Sequence, residues 1–130
     1  MPTVFSRIVS GEITSYKIAE DDNYYAFLDI SPLAIGHTLV VPKKEIDYLF
    51  DLDDALLAGM MVFAKKVARA VGKAIACKKV GVAVLGLEVP HAHIHLIPIN
   101  DLGYINFGKP KLTLSPEMMK ETAEKIRAAL

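Results

Sequence analysis

The chain has one cysteine, Cys77, so it can form no internal disulfide, and no neighbouring cysteine completes a redox or zinc motif. Cys77 reads as an inert thiol in a reducing compartment. Charge of one sign is also lacking: Lys plus Arg and Asp plus Glu both count 15, so net charge marks neither a nucleic acid nor an anionic membrane as partner. No segment approaches the roughly 18 apolar residues of a membrane span, and MPTVFSRIVSGEI carries no signal-peptide pattern. These absences lead to the expectation of a soluble cytoplasmic protein. Internal repeats and low-complexity stretches are absent as well.

What is present is an ordinary globular balance, 52% hydrophobic and 23% charged over 130 residues. That suits one domain spanning 1–130, with a core of about 4–99 and a C-terminal loop and helix over 100–130. Val4, Phe5, Ile8 and Val9 recur at helical spacing before Gly11 and predict a short first helix. Tyr16 to Ala19 and Tyr24 to Leu28 read as a hairpin turned at Glu20-Asp21-Asp22-Asn23, and His37 to Val41 as a third strand. Leu56, Met60, Phe63, Val67 and Val71 form one stripe, predicting a long helix over about 53–76 that starts near Asp53 or Asp54. Lys79 to Leu85 and Val89 to Ile99 read as the last two strands. Ser115-Pro116-Glu117 signals a helix start, so Pro116 to Leu130 is a tail helix and Asn100 to Leu114 a surface loop. The expected fold is α+β: a mostly antiparallel five-stranded sheet with one long helix packed on it, a short N-terminal helix and a C-terminal tail helix. A single helical layer leaves the other sheet face free for a site.

Three of the four histidines stand two apart in His91-Ala92-His93-Ile94-His95. Strand alternation places the three imidazoles on one face and Ala92, Ile94 and Leu96 on the other. A solvated polar face is the plain reading of such a row. A metal site is a second, but at about 3.3 Å per residue the Cα atoms of His91 and His95 lie roughly 13 Å apart, too far for all three rings to share one ion. Division of labour is the third: one ring attacks an electrophile, a neighbour supplies a proton, and another orients the first. Phosphorus is the electrophile that suits an imidazole nucleophile, because nitrogen attack divides one displacement into two easier ones.

Val89-Pro90-His91-Ala92-His93-Ile94-His95-Leu96-Ile97-Pro98 resembles the signature of the histidine triad (HIT) superfamily of nucleotide-binding hydrolases. The segments from Val4-Phe5 to Gly11-Glu12-Ile13, Ala26-Phe27-Leu28-Asp29-Ile30-Ser31-Pro32 and Gly36-His37-Thr38-Leu39-Val40-Val41-Pro42-Lys43 are similar to the family in the same order. The likeness spans residues 4–98. It implies His93 as nucleophile on the α-phosphorus, His95 beside the leaving group, His91 behind them, and His37 orienting the row. It also implies that Asp29 binds the ribose hydroxyls, and that Val4, Phe5, Ile8, Phe27, Ile30 and Leu39 form an apolar purine slot. No metal and no cofactor are implied; the expected partners are a purine nucleotide and a second copy of the chain in a homodimer.

One stretch departs from the family pattern. Ala83-Val84-Leu85-Gly86-Leu87-Glu88 keeps Gly86 for close backbone approach to phosphate, but Leu87 replaces an amide donor and Glu88 adds a negative charge. Weaker phosphate binding or a changed leaving-group preference is the expectation. Three functions follow: a purine nucleoside 5′-phosphoramidate hydrolase working through a nucleotidyl-histidine, a dinucleoside polyphosphate hydrolase for which Lys109 and Lys111 offer the only extra positive charge, or a nucleotide-binding module with vestigial catalysis.

Overall fold

In the computed structural model, which describes residues 2–130, each helix begins where a short polar side chain caps it. Thr3 caps α1 (Val4–Val9) by accepting the Ser6 N–H, Asp53 caps α2 (Asp54–Ala74) through Leu56 N–H, and Ser115 caps α3 (Pro116–Ala128) through Met118 N–H. Between them run β1 (Lys17–Glu20), β2 (Tyr24–Leu28), β3 (Thr38–Pro42), β4 (Lys79–Ala83) and β5 (Ile94–Ile99). The strands form one antiparallel sheet in the order β1-β2-β3-β5-β4, which is the α+β architecture expected.

The sheet separates two apolar regions. On one face Ile18, Ala26, Leu28, Val40, Ile94 and Leu96 meet Met60, Phe63, Ala64, Val67 and Val71 of α2. Met119, Ala123 and Ile126, at i, i+4 and i+7 of α3, join the same cluster. The tail helix is therefore part of the core layer, and the core extends beyond residue 99. Gly59 of α2 lets the Tyr24 hydroxyl close on the helix and donate to the Leu56 carbonyl at 2.7 Å; a Cβ at Gly59 would collide with that hydroxyl. The opposite face carries a smaller cluster of Phe5, Tyr25, Phe27, Leu39 and Val41, covered by α1.

Several boundaries differ from expectation. The last strand starts at Ile94, not Val89, because its neighbour β4 ends at Ala83, opposite His95, and not at Leu85. His91 to His93 then lie outside the ladder. They are held instead by a tight turn, His91 N–H to Val89 O at 2.8 Å, and by Ala92 N–H donating to Ile46 O at 2.7 Å. β3 begins at Thr38, one residue after His37, and runs through Pro42. Residues 100–114 contain a short 3₁₀ turn, Leu102–Tyr104, and fold back over the sheet rather than hanging from its end. Among the described residues no helix is long and apolar enough to cross a membrane.

Candidate active site

Register brings the site together. Phe27 of β2 pairs with Leu39 of β3, Leu39 with His95 of β5, and His95 with Ala83 of β4. Directly paired residues share a face, so this row continues the cluster roofed by α1. Phe5 of α1 packs edge-on against Phe27 at 5.5 Å, His91 at 5.8 Å and His93 at 4.9 Å between ring centroids. His93 stands 4.9 Å from His95, and His95 stands 5.2 Å from His37. Phe5 touches both His91 and His93, and His93 touches His95, so the three imidazoles share the face expected of them although His91 and His93 lie outside the strand.

Hydrogen-bond partners fix the tautomer of each ring. His93 Nδ1 lies 2.7 Å from the His91 carbonyl, which can only accept, so Nδ1 carries the proton and Nε2 keeps a lone pair. His37 Nδ1 accepts the Leu33 N–H at 3.0 Å, which puts its proton on Nε2. That proton points to His95 Nδ1 at 2.9 Å, and His95 therefore bears its own proton on Nε2. His91 donates Nε2–H to the Pro42 carbonyl at 2.8 Å and accepts the Thr3 hydroxyl on Nδ1 at 2.8 Å. Glu45 Oε1 in turn accepts the Thr3 backbone N–H and the Ser6 hydroxyl, both at 2.7 Å. The N-terminal helix is thus tied to the backbone that aligns His93.

Burial lowers the basicity of three rings. It pushes His37 down to about 3 and His95 down to about 4, with repulsion from Lys111 and from any neighbouring imidazole that takes a proton acting in the same direction. His91 is lowered by burial too, against the pull of the Pro42 carbonyl and Glu45. His95 is accordingly a neutral N–H donor at pH 7, not an imidazolium. Burial raises Asp29, assisted by Glu88 and opposed by the Ser31 N–H it accepts at 2.9 Å.

Two adjoining cavities flank these groups. A cleft of about 360 Å³ is lined by His93, His95, Asp29, Ser31, Gly86, Glu88 and Phe107, among others. An apolar slot of about 180 Å³ is lined by Val4, Phe5, Ile8, Phe27, Ile30 and Leu39, with Ile13 to Ser15 and Asp29. Phe5, Asp29 and Leu39 border both. The structure therefore gathers every residue named for the base, ribose and phosphate regions, Gly86 and Glu88 included. His91 has no exposed surface and lines neither cavity; it acts through its carbonyl and its ring partners. Gly86 sits at φ +71°, a conformation open to glycine and strained for other residues. Lys109 donates to the Gly103 carbonyl within its own turn, whereas the charge of Lys111 reaches Asp29, His37 and His95.

Asp29, His37 and His95 each offer a ligand atom, all within 4.8 Å of one another. A tetrahedral zinc with Zn–N bonds of about 2.0–2.1 Å holds two nitrogens roughly 3.3 Å apart. In this structure the 2.9 Å between His37 Nε2 and His95 Nδ1, shorter than that spacing, is the length of a hydrogen bond.

Sequence reasoning missed four contributors: Thr3 and Glu45, which anchor His91, the Leu33 N–H, which sets the His37 tautomer, and Phe107. Thr3 precedes an apolar helical stripe and could have been found as a cap; the others depend on tertiary contacts alone.

Comparison with known proteins gives a consistent result. The family model described as HIT domain matches residues 10–102. An uncharacterized HIT-like protein of Borreliella burgdorferi is 35% identical over 131 residues, covering 95% of this chain and 94% of its own. The adenosine 5′-monophosphoramidase hnt1 of Schizosaccharomyces pombe is 33% identical over 132 residues, covering 100% and 99%. The crystal structure of a Hit-like protein involved in cell-cycle regulation from Bartonella henselae matches with a TM-score of 0.84 at 37% identity, covering 98% of this chain and 96% of that one.

Proposed function

The chain belongs to the HIT family, and from that membership we propose that it hydrolyses purine nucleoside 5′-phosphoramidates or related nucleotidyl esters through a covalent nucleotidyl-histidine. The observation that carries this reading is the 2.7 Å contact of His93 Nδ1 with the His91 carbonyl, which leaves the Nε2 lone pair for the cleft. In the first step Nε2 bonds to the α-phosphorus and the bond from phosphorus to the leaving group breaks. His93 is then an imidazolium, stabilised by the carbonyl it already contacts. His37 and His95 are neutral, so they place no opposing cation beside it. His95 offers Nε2–H to the phosphoryl oxygen or the departing atom. Water then attacks phosphorus and releases His93, its hydroxyl ending on phosphorus and its other hydrogen restoring to His95 Nε2 the proton that left with the amine in the first step. Asp29 accepts from the ribose hydroxyls and the apolar slot takes the base.

A short leaving group suits the charge distribution better than a polyphosphate chain. Glu88 lines the cleft, Lys109 is engaged elsewhere, and Lys111 alone adds positive charge. Purified protein is expected to release AMP from adenosine 5′-phosphoramidate in the presence of EDTA, with a kcat/KM at least tenfold above that for diadenosine tetraphosphate. Chromatography of the products reads both. Binding of AMP without turnover of either substrate would replace this proposal with a binding module.

We also propose a homodimer joined along β4. That strand is a sheet edge, and Val82, Val84 and Leu85 on and beside it are exposed, as is Val62 of α2. Sedimentation equilibrium should give twice the 14.2 kDa chain mass, with Val82→Lys shifting the population to monomer; a monomeric parent at micromolar concentration would refute the dimer.

A further inference from the structure

The late loop carries an aromatic ring that the nucleotidyl chemistry described above does not use. Phe107 stands edge-on to His95 at 4.8 Å and 67°, and 6.5 Å from His37. It is half-buried and forms part of the cleft wall beside Asp29 and Glu88. The loop that carries it is fastened to the rest of the fold at two points and braced within itself at a third. Gly81 of β4 lacks the Cβ that would meet Ile105 at 2.6 Å, and so provides the seat on which Ile105 rests. Lys111 donates to the Phe107 carbonyl at 2.8 Å, its ammonium 5.8 Å from the ring centroid. Leu112 N–H donates to the Pro32 carbonyl at 2.8 Å, beside the Asp29 turn. A ring held so firmly over two hydrogen-bonded imidazoles is placed to keep water from them.

We propose that Phe107 is a positioning residue for the hydrolysis: its ring is the dry wall that holds the His37–His95 couple neutral, in the single tautomer that presents His95 Nε2–H to the reacting group. This rests on the reading of the site as a nucleotidyl hydrolase. The couple is faced by His93 on its own segment, by Asp29 after β2, by Glu88 across the cleft and by Lys111 from the loop. Of these, His93 and Lys111 oppose a charge on His95 and Asp29, 3.6 Å from His37 Nε2, favours one on His37, while burial has the largest effect on both rings and the Phe107 ring is part of what buries His95. Were water admitted, a protonated His95 could no longer accept from His37 Nε2, and the 2.9 Å bond between them would break.

The test compares the parent protein with Phe107→Ala and Phe107→Leu by ¹⁵N imidazole chemical shifts between about pH 5 and 8. In the parent, His95 stays neutral with its proton on Nε2 throughout that range. In Phe107→Ala its titration is expected to enter the range, moving up from about 4 toward the ordinary 6.5, while Phe107→Leu, which keeps the apolar cover, stays like the parent. Turnover of adenosine 5′-phosphoramidate at pH 6 should fall on the order of tenfold in kcat with KM unchanged in the alanine variant, and recover with leucine. A folded Phe107→Ala protein whose His95 remains neutral as in the parent, or whose kcat is unaltered, overturns the proposal. Absence of turnover in the parent would instead overturn the hydrolase reading, and the chemical shifts would still decide whether Phe107 controls the couple.

Discussion

Replacing His93 by alanine is expected to remove turnover by a factor on the order of 10⁴ or more while leaving AMP affinity within about threefold. At 1.36 kcal/mol per decade, the loss in transition-state stabilisation is at least about 5 kcal/mol. The two readouts separate because in the proposed mechanism His93 contributes a bond to phosphorus, whereas the groups proposed to hold the base and ribose are others: Phe27, Leu39 and the rest of the slot, and Asp29. His95→Ala should fall less, by about 10²- to 10⁴-fold, since it removes a hydrogen-bond donor and leaves the nucleophile in place. Calorimetry with AMP and chromatography of adenosine 5′-phosphoramidate products measure the two quantities. His93→Ala with near-parent turnover would show that the 2.7 Å contact to the His91 carbonyl orients a ring with no part in bond formation. A large loss of AMP affinity would mean that the ring chiefly holds the nucleotide. Because Phe5 packs on His93 at 4.9 Å, the variant's melting curve must accompany both measurements.

The fold was legible because it rests on local signals, whereas most residues of the candidate site were named through the likeness of their segments to a known family. The stripe from Leu56 to Val71 needed only a 3.6 period, and the Asp53 and Ser115 caps needed only their place before it or before a proline. Alternation placed His91, His93 and His95 on one face, as their contacts with Phe5 and with each other show, even though the ladder begins only at Ile94. The start of that strand was not legible: it depends on where β4 stops, and nothing in Val84-Leu85 marks the chain's departure from the sheet. Tautomers were out of reach for a similar reason. The His37 proton is placed by a backbone N–H four residues earlier and a ring 58 residues later, and neither periodicity nor composition encodes such contacts. Phe107 lies in a stretch of glycine, asparagine and lysine that reads as plain loop. Its place over His95 follows from the seat that Gly81 gives Ile105, a long-range fit between two otherwise unremarked residues.

Acid should destabilise this protein unusually early, well before its carboxylates are protonated. His37 and His95 titrate near 6.5 in the unfolded chain but are held down to about 3 and about 4 when folded. Between those values the unfolded state binds more protons, so stability falls as pH falls. The contribution is fully present above pH 6.5, and its loss is complete only at the folded values. Each unit of depression corresponds to about 1.4 kcal/mol. The two rings are coupled through one hydrogen bond and each other's charge, so their losses do not simply add; together they amount to several kcal/mol, a large fraction of the 5–15 kcal/mol typical of a domain. Asp29 acts in the opposite sense: its raised affinity for a proton returns some stability as pH falls through its folded value. With equal numbers of acidic and basic side chains, global charge repulsion adds little at the start of the descent. Calorimetric melting temperatures are therefore expected to drop by on the order of 15 °C between pH 7 and pH 4.5. His37→Gln keeps an N–H donor for His95 and removes one titrating ring, so its melting temperature should fall less steeply over the same interval, whatever its value at pH 7. Parallel slopes in the parent and the variant would place the acid sensitivity outside the His37–His95 couple.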